Sequence, residues 1–521
     1  MGPNSPAWAP IIYVSDVEHP RGWRYNAVPV GMPPTLRVRF PWLLLLLACV
    51  AAGVAVSAQS FWIDETQTAF KAAAPTISAW WGLLYAEHDS NLQLPLYMLY
   101  VWLWGRAVPV SEFLLRAANI PWFFVGFFAI CHFLRRRAGP RNAVLTVYSL
   151  NPFVWYYLNE ARPYLMQLSG ALLVGGALFA ALDEPEEPLD AAWWWLYGAG
   201  ITILCGSGLL GVPWAASITI LLMFQERFRR SASRAGLPAL VMFGLVLAFL
   251  ALYFAWTLKV GARPGETRMS LKSIPFVFYE QLGFGGLGPG RVVLRDRDWK
   301  TFLSYIPACC ALGVPLFYAF ARGIAVRFGI PREKFRAVLL AVLVPTVAIF
   351  ALGFVKHFLV LGRHLTPLFV FILGALAFSI YHLWRGRRLV DRAAVVLIVL
   401  ALTASSLEYR FAYRHEKDDY RDAVAIAKVA VGQGDDVWWA ADKWGARYYG
   451  LPFTYEPVAG SALIVWKPES AWLAGLKGPT LIVFSKPDIF DENGALREYI
   501  EEHGYVETQS LPAFTFWRKQ S

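Results

Sequence analysis

The thirteen residues Leu92–Trp104, LQLPLYMLYVWLW, carry no charge and read as a helix. At 1.5 Å per residue they cover roughly 20 Å, short of the ~30 Å hydrocarbon core of a bilayer. Whether this stretch spans the membrane decides the side on which everything after it lies. Counted out, with the N-terminus in the cytoplasm, it leaves every dense basic cluster between spans on one side. Those clusters are Arg21, Arg24, Arg37 and Arg39; Arg135–Arg137 with Arg141; Arg227, Arg229, Arg230 and Arg234; Arg322, Arg327, Arg332, Lys334 and Arg336; and Arg385, Arg387, Arg388 and Arg392. That is the asymmetry the positive-inside rule asks for. Counted in, it throws all the later clusters outside. We therefore read 92–104 as an interfacial or re-entrant helix. The acidic segment 183–190 also falls on the cytoplasmic side, and acidic residues weigh little in the rule.

Working outward, the spans expected are 41–58, 113–134, 143–158, 165–182, 192–208, 210–225, 237–257, 302–321, 337–355, 365–383 and 393–408. The first follows Arg37 and Arg39, lacks a small-residue cleavage site, and reads as a retained helix. Composition agrees with a bilayer as solvent: the chain is 57% hydrophobic and 16% charged, against roughly 25% charged in soluble domains. The net charge of +11 sits in short loops beside apolar runs, as topology determinants do, so nucleic acid is not an expected partner. All five cysteines lie in apolar runs without ligand spacing, which argues against disulfide frameworks and zinc.

From 411 onward the composition changes. β-like runs at 436–440, 463–465 and 480–484 alternate with helix-like stretches at 423–431 and 492–502, the pattern of a small α/β domain. Trp438, Trp439, Trp444, Trp466 and Trp472 are either core and interface aromatics or a sugar-stacking surface, the first being favoured. The expected fold class is thus an α-helical polytopic membrane protein of about eleven spans with a small exoplasmic C-terminal α/β domain. Its segments are a cytoplasmic 1–40, a membrane domain 41–410 with a first outer loop 59–112, and the domain 411–521. No internal repeat and no inverted pair of interrupted helices of transporter type is found.

The residues with chemistry gather at the outer ends of helices. Phe61-Trp62-Ile63-Asp64-Glu65 sets two carboxylates behind three apolar residues. Partial burial raises a carboxylate's basicity and suits it to take a proton; the alternative is a helix cap. His88-Asp89-Ser90-Asn91 is a polar cluster able to bind a sugar, or a turn before the short helix. Asn159-Glu160-Ala161-Arg162-Pro163-Tyr164 places an arginine at the membrane edge, where it needs an anion, either Glu160 or a phosphate. Arg116 raises the same question. Lys356-His357 and Gly362-Arg363-His364 suit a phosphate or lipid headgroups.

Taken in order, these elements resemble the GT-C superfamily of glycosyltransferases, nearest its protein O-mannosyltransferase and aminoarabinose–lipid A transferase branch. The resemblance runs over residues 40–410. It rests on Asp64-Glu65, His88 with Pro95-Leu96-Tyr97, Ser111-Glu112-Phe113 with Arg116, Glu160 to Tyr164, and Gly362-Arg363-His364 with Pro367. Leu94 stands where the family often has a first proline, and the tail matches no family domain. The resemblance implies inverting transfer of a sugar from a polyprenyl-phosphate donor to a lipid, glycan or protein acceptor on the exoplasmic face of a bacterial inner membrane. It implies Asp64 as general base with Glu65 as its catalytic neighbour. Substrate and phosphate binding fall to His88, Asp89, Arg116, Glu160, Arg162, Tyr164, Lys356, His357, Arg363 and His364, with no metal and no cofactor besides the donor. The rival readings are a lipid-linked glycan polymerase or ligase, which would lack the early Asp-Glu, and a lipid or sugar transporter, which would carry its charges mid-membrane.

Overall fold

The computed structural model describes residues 40–520 except 89, 184–188, 233–235, 261–268, 291–298 and 327–331. Residues 1–39 of the expected cytoplasmic segment, and Asp89, lie outside the described residues. From Pro41 onward the chain forms one compact unit.

Helices stand where each of the expected spans was read: Trp42–Ala55, Glu112–Ala117 running into Asn119–Phe133, Ala138–Leu150 with Pro152–Leu158, Tyr164–Asp183, Ala191–Gly206, Val212–Met223, Leu237–Lys259, Ile306–Ala325, Arg332–Lys356, Thr366–Arg385 and Leu389–Phe411. Among the described residues, seven helices are long and apolar enough to cross a bilayer, and a bent pair, Leu209–Met223 with Glu226–Ala232, makes up to eight. The chain is an integral membrane protein. Small residues draw the Tyr164–Asp183 and Ala191–Gly206 helices together: a Cβ on Gly170 would stand 2.6 Å from the Leu204 nitrogen. Where lipid removes the hydrophobic drive for association, such close backbone approach supplies the packing.

One expected span is corrected. Residues 143–158 are not one helix but two, divided at Asn151. Pro152 disfavours helical backbone in the residue before it, and Asn151 takes an extended conformation whose side-chain oxygen caps the Phe153 N–H at 2.8 Å. Ser406 binds the freed Leu150 carbonyl at 2.8 Å.

The apolar stretch 92–104 forms a short helix, Pro95–Ala107. Tyr97, Met98 and Val101 are fully buried while Leu103 is exposed. It packs on the Ile63–Ala72 helix. Its indoles and phenol bind backbone carbonyls of neighbouring segments: Trp102 to Ala74 at 3.0 Å, Trp104 to Leu114 at 2.9 Å and Tyr100 to Ala118 at 2.7 Å.

The C-terminal domain is a six-stranded mixed sheet: β1 Val437–Ala440, β2 Phe453–Thr454, β3 Ala462–Ile464, β4 Leu481–Ser485, β5 Tyr505–Leu511 and β6 Phe514–Lys519, in the order β2-β3-β1-β4-β6-β5. The four strands from β2 to β4 run parallel, and β6 and β5 close the edge antiparallel. Three of these strands match the expected runs. The two-residue β2 is too short to show a pattern, and β5 lies on the exposed edge with polar side chains. Trp438 and Trp439 are both buried, on opposite faces of the sheet, as alternation along a strand requires. Trp466 and Trp472 stay partly exposed.

Candidate functional site

The helix Ile63–Ala72 opens after an extended Trp62 and carries both carboxylates in its first turn, where negative charge meets the positive end of the helix. The two side chains leave that turn in different directions.

Glu65 is fully buried. Its Oε1 accepts from Arg116 Nε at 2.8 Å and from the Ala161 N–H at 2.8 Å; its Oε2 accepts from Arg116 Nη2 at 2.6 Å and pairs with Lys417 Nζ at 3.1 Å. Burial alone would raise this carboxyl's pKa. The charges of Arg116 and Lys417 and the hydrogen bonds override it and hold the pKa down to about 2. Lys417 in turn is lowered to about 8 by burial and by the Arg116 charge, against the pull of Glu65. Arg116, itself fully buried, spends its remaining donors on the carbonyls of Ser57 (3.1 Å), Gln59 (2.6 Å) and Ser60 (3.0 Å). Five N–H groups thus meet five acceptors within the protein.

Asp64 is partly open. Its Oδ2 accepts from Arg363 Nη1 at 3.2 Å, with both side chains in partial contact with solvent. The Arg363 guanidinium lies 5.8 Å from the Trp62 ring centre and 5.7 Å from that of Tyr164. Arg162 is buried; its Nη1 donates to Asn91 Oδ1 at 2.7 Å, and it stands near enough to Arg363 for the two charges to oppose each other. The Nε of Arg162, the Nε of Arg363 and the Nε1 of Trp62 are buried and meet no acceptor among the described residues. Buried donors are normally satisfied, and three orphans close to one carboxylate make a cationic, donor-rich cluster.

Supporting contacts set these groups. Asn119 binds the carbonyls of Tyr157 at 3.1 Å and Glu160 at 2.6 Å and so shapes the turn before Arg162; Glu160 is fully buried. His364 Nδ1 accepts from the Leu361 N–H at 3.0 Å, which leaves its neutral proton on Nε2. Glu280 caps the Gly362 N–H at 2.7 Å, and Gln281 binds the Gly362 and Leu365 carbonyls. A Cβ on Gly362 would stand 2.7 Å from that Glu280 oxygen.

The structure therefore brings together Asp64, Glu65, Arg116, Glu160, Arg162, Tyr164, Arg363 and His364. His88 is half-buried against Tyr85, in left-handed backbone at the end of the Ile77–Glu87 helix. Lys356 and His357 are exposed where the Arg332–Lys356 helix ends. Among the described residues no group of three or more His, Cys, Asp or Glu side chains is placed to hold a metal.

Sequence reasoning missed Lys417, Lys486, Tyr449, Glu280 and Gln281. Tyr449 from the C-terminal domain accepts from the Phe61 N–H at 2.9 Å and donates to Glu112 at 3.0 Å. Lys417 also donates to the Asn159 carbonyl at 2.5 Å. The charge-dense run Arg414–Arg421, directly after the last span, was the available signal for Lys417.

No family model and no curated protein sequence matches the chain. Solved structures do. ArnT from Cupriavidus metallidurans in the apo state aligns with TM-score 0.53 at 12% identity, over 91% of this chain and 97% of that one. The same protein bound to undecaprenyl phosphate aligns with TM-score 0.50 over the same shares. Arabinofuranosyltransferase AftD from Mycobacteria is similar at TM-score 0.40 over 93% of this chain and 40% of that one. The chain shares the fold of ArnT from Cupriavidus metallidurans over most of its length.

Proposed function

We propose that this protein is a membrane glycosyltransferase that takes a sugar from a polyprenyl-phosphate donor and passes it, with inversion, to a lipid, glycan or protein hydroxyl or amine. The observation that carries the reading is the open Asp64–Arg363 pair surrounded by buried donors without partners. Arg363 and Arg162 bind the phosphate, whose charge grows as the sugar leaves. Phosphate is a good leaving group, so positioning and charge compensation supply most of what is needed. Asp64, released from Arg363 as the phosphate takes the guanidinium, is the base that removes the acceptor's proton. Glu65 is the positioning residue beside it, and Arg116 its counter-ion. The fold shared with ArnT, one of whose structures is bound to undecaprenyl phosphate, supports the donor class.

The reading also includes orientation, with the site and the C-terminal domain on the exoplasmic side of a bacterial inner membrane. The direct test incubates purified protein with polyprenyl-phosphate sugars and measures released polyprenyl phosphate. Turnover expected from the wild type and absent throughout the series would overturn the proposal. Reporters fused after Arg137, Arg230 and Arg388 are expected on the cytoplasmic side and one after the C-terminal residues on the other. A cytoplasmic C-terminus would put the site on the wrong face.

A further inference from the structure

The C-terminal domain does more than cover the bundle. Its four parallel strands change direction of growth at β1: β3 and β2 lie on one side of it and β4 on the other. In open α/β sheets, ligands bind outside the carboxyl ends of the strands at such a switch point. The residues just past those two ends are Asp442, after β1, and Lys486, after β4. This edge of the sheet faces Trp62. Lys486 Nζ stands 5.6 Å from the Trp62 ring centre, and Arg363 lies 5.8 Å from the same ring. Lys486 adopts left-handed backbone with φ +40°, uncommon for a residue with a side chain. It is almost wholly buried and ion-paired to an equally buried Asp418. Asp442 spends its carboxylate on the N–H groups of Trp444 and Gly445 at 2.9 and 3.0 Å. Its pKa is raised to about 6 by burial, with the Asp64 charge adding to the rise and the Lys486 charge opposing it. Both domains' charges therefore share one small volume.

We propose that Lys486 is a further cation of the donor-phosphate site, held by Asp418 when the site is empty and turned to a phosphate oxygen when the lipid binds. The inference rests on the donor class proposed above. It makes the sheet's switch-point crevice and the Trp62–Asp64 turn two walls of a single site. Asp418 is then a competitor for the lysine, and that gives the proposal a signature that a purely structural ion pair lacks.

The test titrates undecaprenyl phosphate into the purified full-length protein and follows binding by tryptophan fluorescence and thermal shift. Lys486→Met is expected to weaken binding by about tenfold, as loss of one charge-assisted contact does. Asp418→Asn is expected to tighten it. The double variant Lys486→Met with Asp418→Asn, which leaves no buried charge unpaired, is expected to fold and to stay as weak as Lys486→Met. If the double variant regains wild-type affinity, or if Asp418→Asn weakens binding as Lys486→Met does, the pair serves the fold alone and the inference is overturned. If the wild type itself does not bind undecaprenyl phosphate, the donor reading falls and this inference with it.

Discussion

Asp64 and Glu65 are adjacent in sequence and share a helix turn, yet they occupy two regions with opposite physics. Around Glu65 the protein is closed: a fully buried carboxylate, Arg116 with all five N–H groups matched, and Lys417 reaching in from the C-terminal domain. Around Asp64 it is open: one 3.2 Å ion pair, and buried donors on Trp62, Arg162 and Arg363 without partners. A closed charge cluster resists change, because removing one member leaves the others buried and uncompensated. An open one can exchange partners. The first region joins the Ile63–Ala72 helix, the helix that carries Arg116 and the C-terminal domain; in the second, donors remain for a ligand of the kind proposed above. The difference teaches that charge density alone does not mark a working site. What marks it is the balance between charges and the partners the protein itself provides.

The largest effect that could break this comparison is expected on the closed side. Glu65→Gln leaves Arg116 and Lys417 buried without their anion, and breaking a buried pair in this way costs about 3–5 kcal/mol. Thermal unfolding in detergent should show a much destabilised protein. The sign with pH follows from the lowered carboxyl. The stabilisation from a pKa held down to about 2, against an ordinary 4.5, is fully present above pH 4.5 and is lost as the pH falls from there toward 2. The wild type should lose stability over that window and Glu65→Gln should lose less. A Glu65→Gln protein as stable as the wild type would mean the cluster is not the joint described here.

Next in size is the open side. Asp64→Asn keeps shape and leaves the helix start, where Glu65 and not Asp64 reaches back to the Trp62 N–H, untouched, so folding should be near normal. In the proposed mechanism Asp64 accepts the proton, which an amide cannot do, and transfer should fall by ~10²-fold or more. Near-full transfer by Asp64→Asn would reduce Asp64 to a partner of Arg363 and move the base elsewhere. The smallest expected effect sharpens the picture at the phosphate. Arg363→Lys retains charge but not the fork that can hold two oxygens at once, and donor affinity should drop by roughly tenfold, with Arg363→Ala lower still. Equal donor affinity in Arg363→Lys and wild type would show a point charge to be sufficient.

Much of the fold was legible because the bilayer imposes simple rules. Apolar runs of sufficient length mark candidate spans, and helices stand at each of them. Pro152 carried the signal for the break in 143–158, but hydropathy averages over it. The cluster that the structure assembles was legible in part: Asp64, Glu65, Arg116, Glu160, Arg162 and Arg363 are ionisable residues at the ends of apolar helices, and such residues pair with one another or mark a site. Lys356 and His357 share that pattern and yet stand exposed, since closeness to a helix end says nothing about direction.

The bilayer as solvent, the positions of the long apolar helices and the alternating elements of the tail could be read along the chain. Each depends on local chemistry: length, hydrophobicity and charge read along the chain. Only the tertiary structure decided which of two neighbouring carboxylates is sealed and which is open. That depends on Lys417 reaching Glu65 from 352 positions away along the chain and on Arg363 reaching Asp64 across 299. It also decided that Lys486, just past the end of β4, lies against Trp62. Burial and partner geometry are set by residues distant in sequence, and they, not residue type, fix whether a charge is structural or free to act.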